Sequence, residues 1–287
     1  MSSSSAVRIV TDSSCDLPSE VAEAHAVSIV PLTIRFGDEE FIDREELTTA
    51  EFWTKCAGSA TLPETAAPAP GQFEQVYRAL AADGATGVVV IALSGALSAT
   101  MQSAELAARS VADDEALELT VRVVDSRTLT MGLGTIVLAC ARAAERGASI
   151  DEVEAQARQL AGRTRVFGAL DTLENLKKGG RIGNARALLG TALSIKPIIE
   201  VVDGAVEEAG KQRTRSKALK HLVEKVKGFE GRLENLAVMH ADCSDTDAFV
   251  DMLRPYYEGE IVVGEIGPVI GTHAGRGTIG VAFHEIG

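Results

Sequence analysis

The stretch Gly87-Val-Val-Val-Ile-Ala-Leu-Ser-Gly-Ala-Leu-Ser-Ala-Thr-Met-Gln-Ser103 decides how the chain reads. Its first seven residues are apolar and rich in β-branched side chains, the pattern of a buried strand in a parallel sheet. Ser103-Ala-Glu-Leu-Ala-Ala-Arg109 then reads as a helix from its Ala and Leu content. Ser94, Ser98, Thr100 and Ser103 therefore crowd the carboxyl end of a strand and the amino end of a helix. Open α/β sheets bind ligands at that edge, where free N–H groups and the helix dipole favour an anion. Single hydroxyls there are ordinary caps, but four of them around Gly95 read as an anion cradle.

Upstream, Val7-Arg-Ile-Val10 is a short strand leading into Thr11-Asp-Ser-Ser-Cys-Asp-Leu-Pro18, and Ser19 to His25 continues as a helix. The loop either caps that helix or places Asp12, Ser13 and Ser14 beside the same ligand mouth. Val27 to Phe36 alternates and reads as one edge or bulged strand interrupted by Pro31, with a return strand at Phe41-Ile42. Leu47 to Cys56 is a helix capped by Thr48 or Thr49. Residues 60 to 71 hold three of the eight prolines, so they form an extended, stiff segment: a linker, or a rigid pocket wall carrying Thr65. Gln72 to Ala82 is an amphipathic helix.

Downstream, a strand at Leu119 to Val124, an Ala-rich helix from Leu129 to Arg146 and a capped helix from Ser149 to Arg163 complete a parallel sheet covered by helices. The pattern changes near Arg163. Val166 to Leu170 is a strand, Thr172 to Gly180 a short helix stopped by glycines, and Ser194 onward a hairpin turning at Asp203-Gly204. Leu219 to Val226 is a helix. Strands at Asn235 to His240 and Glu260 to Gly264 flank a helix from Asp245 to Tyr257, and Thr278 to Phe283 is the last strand. The expected architecture is α/β with two domains: 1–163, a parallel sheet with flanking helices, and 164–287, an α+β unit containing the hairpin.

The 46% hydrophobic and 24% charged content places the chain among soluble globular proteins. No apolar run is long enough for an integral membrane segment, and the start lacks the regions of a signal peptide. Cys15, Cys56, Cys140 and Cys243 are scattered without metal-ligand spacing, which suggests a cytoplasmic location. Only Cys15 lies where a catalytic thiol would act. The net charge of −13 argues against nucleic acid as a partner. Residues 163 to 227 nevertheless carry 14 Lys and Arg against 7 Asp and Glu, leaving −20 for the rest. That region is either a solvated face or a surface for an anionic partner.

Gly275-Arg-Gly-Thr-Ile-Gly280 satisfies G-x-G-x-x-G, but only seven residues follow, so no helix of a dinucleotide-binding unit exists. The common nucleotide-loop, zinc-protease and hydrolase signatures are missing, and five scattered histidines give metal binding little support. His273 lies in what reads as a glycine-rich loop, Gly271 to Gly277, where backbone can approach a ligand closely.

Taken together, Val10-Thr-Asp-Ser-Ser-Cys-Asp-Leu17, Leu62-Pro-Glu-Thr65 with Pro68, Leu93-Ser-Gly-Ala-Leu-Ser98 with Gln102-Ser103-Ala104, Asp125-Ser126, Lys178-Gly-Gly-Arg-Ile182, Arg213-Thr214 and Gly271-x-His273 resemble the DegV family in order and spacing over essentially the whole chain. The resemblance implies a fatty-acid-binding protein that presents its ligand to a separate fatty acid kinase, which converts the carboxylate to an acyl phosphate. It implies no cofactor and no catalysis by this chain. Carried over residue by residue, it puts the fatty-acid carboxylate near Thr65, Ser94 and Ser98, with His273 at the phosphate-transfer edge. Asp12, Ser13, Ser14 and Gly95 would form the mouth, and Arg181 and Arg213 would dock the kinase or handle phosphate. The chain departs from the family pattern at Ala66, Ala67 and Ala69, where polar residues are usual, and at Arg276, where proline is usual. Two alternatives accompany this reading: a serine/histidine-dependent hydrolase or phosphotransferase using Ser14 or Ser94 with His273, and a carrier of another anionic amphiphile.

Overall fold

The computed structural model describes residues 6–188 and 195–286. Strand β1 (Val7–Asp12) runs through a tight turn into helix α1 (Ser19–Ala24), followed by β2 (Ser28–Val30), β3 (Thr33–Phe36) and β4 (Glu39–Ile42). Next come α2 (Thr49–Gly58), β5 (Glu64–Ala66), α3 (Pro70–Ala82), β6 (Gly87–Ala92), α4 (Thr100–Ala112), β7 (Thr120–Asp125), α5 (Thr130–Glu145) and α6 (Ile150–Arg163). The remainder holds β8 (Thr164–Ala169), α7 (Glu174–Lys178), β9 (Lys196–Val202), β10 (Ala205–Gln212) and α8 (Arg215–Lys227). It ends with β11 (Leu233–His240), α9 (Thr246–Leu253), β12 (Val262–Glu265), α10 (Pro268–Ala274) and β13 (Ile279–Glu285).

Three sheets result. The order β2-β1-β6-β7 is parallel throughout, and every residue of β6 is buried, as its apolar run requires. The order β10-β9-β8-β13-β11-β12 is antiparallel except between β11 and β12. A small antiparallel sheet, β4-β3-β5, carries Thr65 opposite Ile34. Helix α5 is apolar around its whole circumference and touches strands of both large sheets. Ile9, Ile91 and Leu133 consequently share one apolar cluster with Val166, Val201, Met239 and Ile270.

Local chemistry explains the boundaries. Thr48 with Glu51 and Ser149 with Glu152 form reciprocal capping boxes at α2 and α6. Asp203 and Gly204 both adopt positive φ, the turn geometry that suits the twist of the β9–β10 hairpin. The expected start of that hairpin at Ser194 lies outside the described residues.

Two expectations need correction. Val27 to Phe36 is two strands in two sheets: Pro31 offers no N–H to a ladder, and the Leu32 N–H donates to the Ser13 hydroxyl at 3.1 Å. The segment around His273 is a helix, with Pro268 in its first turn and His273 in its last. Gly271 serves packing there, since a Cβ would lie 2.9 Å from both the Phe52 and Trp53 rings.

His284 on β13 is fully buried, with Nε2 3.0 Å from the Thr135 hydroxyl and Nδ1 3.0 Å from the Asn235 amide. Burial, then the charge of Arg163, pushes it down to about 4, so the folded protein keeps it neutral. The unfolded chain takes up that proton near pH 6.5, so this group's contribution is whole at neutral pH and is lost as pH falls toward 4. At ~1.36 kcal/mol per unit, the loss is about 3 kcal/mol. In urea titrations at pH 7, 5.5 and 4, His284→Gln is expected to flatten the acid slope by about that amount; an unchanged slope refutes the assignment.

Candidate functional site

A cavity of about 200 Å³ lies where the two large sheets and the small one converge. Its walls are apolar: Leu93 and Leu97 follow β6, Val166 and Leu170 come from β8 and its end, and Ile199 and Val201 come from β9. Thr65, Ser98, Arg181 and His273 supply polar groups to the same cavity. The stiff proline-rich segment is thus a wall, set in place by the pairing of β5 with β3.

His273 Nε2 and the Thr65 hydroxyl oxygen are 3.0 Å apart. Burial, helped by the nearby Arg181 charge, pushes His273 down to about 4, so the ring is neutral. Its Nδ1 is buried and makes no hydrogen bond among the described residues, facing Gly179, where a Cβ would come within 2.3 Å of it. A bare acceptor is the cheaper group to leave unpaired, so we assign the proton to Nε2, which donates to Thr65. The Thr65 O–H is then free to donate to a ligand. Arg181 is exposed and braced, with Nε donating to the Leu97 carbonyl at 3.1 Å and Nη1 to that of Gly179 at 2.8 Å. Ser98 pairs with the Thr100 hydroxyl at 2.9 Å.

The other expected site residues are placed elsewhere. The Ser94 hydroxyl donates to the Gly204 carbonyl at 2.8 Å and accepts from the Ala96 N–H, tying the hairpin turn to the loop after β6; Arg127 and Asp203 add an ion pair across the same junction. Ser94 does not line the cavity. Asp12 is buried, accepting from the Leu93 N–H at 2.8 Å and from both the N–H and hydroxyl of Ser14. Ser13 accepts from Leu32, and the Gly95 N–H donates to Asp125. These four brace the strand ends behind the cavity and contribute nothing to its wall. Cys15 is fully buried, which pushes its thiol up to about 12 and leaves it unreactive. Arg213 is exposed at the end of β10, away from the cavity lining. In the basic region, Arg163, Arg165, Lys196 and Arg215 pair with carboxylates.

The serine–histidine contact that a hydrolase needs is not made: Ser14 donates to Asp12, Ser94 to Gly204, and His273 meets Thr65. Among the described residues, no group of side chains could hold a metal ion, and no helix is long and apolar enough to cross a membrane. Sequence reasoning passed over Asp16, whose buried carboxylate accepts from the Thr130 hydroxyl at 2.6 Å and from the Gly267 N–H at 3.0 Å. It thereby joins the loop after β1 to the starts of α5 and α10. A carboxylate in a loop gives no sign of a partner some 250 residues away.

An apolar cavity lined also by hydroxyls, a neutral imidazole and a guanidinium has the chemistry to take an apolar molecule with an anionic head. The chain belongs to the DegV family, whose family model, described as uncharacterised proteins of that family, matches residues 6–285. A DegV domain-containing protein of Streptomyces coelicolor is 38% identical over 279 residues, covering 96% of this chain and 97% of that one. Among solved structures, a DegV family protein of Thermus thermophilus, described in terms of fatty acid binding, superposes with a TM-score of 0.88 at 34% identity, covering 98% of this chain and 99% of its own. A stearic-acid-binding protein of Eubacterium ventriosum gives a TM-score of 0.89 at 26% identity, with coverage of 97% and 98%.

Proposed function

We propose that the protein binds a long-chain fatty acid and presents its carboxylate to a separate kinase for conversion to an acyl phosphate, working in the cytoplasm as a carrier without catalysis of its own. The observation that carries this reading is the apolar cavity meeting the Thr65–His273 pair. In this reading two domains, 1–163 and 164–287, face one another across the acyl chain. Thr65 donates to the carboxylate, Ser98 and Arg181 stand beside it, and exposed Arg181 and Arg213 meet the kinase. A neutral imidazole behind Thr65 polarises the hydroxyl without fixing the anion by a buried ion pair, so the carboxylate stays free to attack phosphorus.

The hydrocarbon supplies the affinity: ~0.8 kcal/mol per buried methylene gives roughly ten kcal/mol for a C14–C16 chain before association costs. Support also comes from the fatty acid binding described for the Thermus, Eubacterium and Bacillus subtilis structures. Mass spectrometry of lipids extracted from the natively purified protein is expected to find a stoichiometric long-chain fatty acid. A non-acyl amphiphile there, or failure to bind any fatty acid in solution, overturns the reading. Thr65→Ala removes one hydrogen bond to a charged group, worth ~1.5 kcal/mol, so fatty-acid affinity should fall about tenfold. Unchanged affinity in a displacement titration refutes the head-group placement.

A further inference from the structure

One row across the six-stranded sheet is distinctive. Ile199 on β9 pairs with Gly168 on β8, Gly168 with Gly280 on β13, and Gly280 with Met239 on β11. All four residues line the cavity. Side chains of one strand alternate between faces, so Val166 and Leu170, two positions either side of Gly168, point to the same cavity and line it too. The sheet face therefore carries a trough two strands wide, closed along β8 by Val166 and Leu170 and along the row by Ile199 and Met239.

The two glycines have different causes. At Gly280 a Cβ would come within 2.4 Å of the Phe167 carbonyl oxygen and 2.8 Å of Met239 Cε, so close strand approach alone demands glycine. At Gly168 the nearest atoms to a Cβ are Ile199 Cγ1 and Leu170 Cδ1, both at 3.5 Å, which is ordinary contact. Its φ is not in the left-handed region. Strand propensity disfavours glycine at such a position, and neither sterics nor backbone conformation requires it. What glycine provides is room between two cavity-lining side chains.

We propose that Gly168 is a specificity-determining residue that sets how much hydrocarbon the cavity admits. The proposal rests on the reading that the cavity takes a fatty acid. A side chain at 168 occupies the trough and displaces a matching volume of ligand, because a close-packed interior has no slack to absorb it. Valine adds three carbons, so the optimum chain shortens by about two to three carbons.

The test uses the full-length protein, its Gly168→Ala and Gly168→Val variants, and saturated fatty acids from C10 to C18 competing against a fluorescent fatty acid, with thermal unfolding recorded for each protein. The expected result is a Gly168→Val profile displaced toward shorter chains, with the longest acid weakened at least tenfold and the unfolding midpoint preserved. Gly168→Ala, whose added methyl fits at 3.5 Å contacts, shows the same displacement to a smaller degree and carries the test if the valine variant does not fold. A folded variant with the parent's profile overturns the role of Gly168 while leaving fatty-acid binding intact. A parent protein that binds none of these acids overturns the underlying reading as well.

Discussion

Asp16→Asn is expected to gain about 4 kcal/mol of stability on the parent protein as pH rises from 4 to 8. Asp16 is buried between the loop after β1 and the starts of α5 and α10, and burial pushes its carboxyl from 3.8 up to about 7. Hydrogen bonds from Thr130 and Gly267 and the charge of Arg44 pull the other way, without overcoming desolvation. The folded state therefore holds a proton that the unfolded chain has already released above pH 4. Stability from this group is greatest at low pH and is lost as pH climbs through the folded value. About three units at ~1.36 kcal/mol each set the size. Asparagine has the same shape, with an oxygen to accept from Gly267 and an N–H to donate to Thr130, and it does not titrate. Asp43, raised by burial to about 6, titrates in both proteins, and its charge adds to the rise at Asp16. Urea unfolding of both proteins across this range measures the gap; a gap independent of pH means that Asp16 ionises as it would in water.

Gly134→Ala is expected to cost about 3 kcal/mol, against the sign that helix propensity gives. Inside a helix, alanine exceeds glycine by ~1 kcal/mol, so an unconstrained site would be stabilised. Here a Cβ would lie 2.6 Å from the carbonyl oxygen of Cys15 and 3.1 Å from Leu17 Cγ. Backbone cannot step aside as a side chain can, and overpacking of this kind costs ~1–3 kcal/mol or more. The strain falls where α5 meets the loop holding Asp12 and Asp16, so fatty-acid affinity should drop with stability. A chemical denaturation midpoint above that of the parent defeats the close-approach argument.

These glycines mark the boundary of what sequence alone conveys. Strand β6 and the helix after it were legible because a continuous apolar run followed by Ala and Leu has few other readings. The hairpin at Asp203-Gly204 and the caps at Thr48 and Ser149 were legible because turn and cap chemistry is local. Thr65, Ser98, Arg181 and His273 reach one cavity from four separate segments, a convergence that spacing along the chain does not convey. Ser94 went to Gly204 and Asp12 to Leu93, because partners set by tertiary packing leave no trace in spacing. Helix α10 is masked by the glycines in and around it: Gly271 reads as loop when the rings it packs against, Phe52 and Trp53, lie far away in the chain. Gly168 did carry a signal: glycine inside a strand marks a bulge or a close approach, and here it leaves space beside the ligand cavity.

The apolar cluster shared by Ile9, Ile91 and Leu133 with Val166, Val201, Met239 and Ile270 has a consequence for dissection of the chain. A cut between Arg163 and Thr164 severs one connection yet divides this shared cluster, so each piece alone exposes the surface that the other covers. Neither half then serves as a free-standing receptor, since the cavity takes walls from both. Supplied together, the pieces have strong reason to recombine, because the surface each exposes is the one that the other covers.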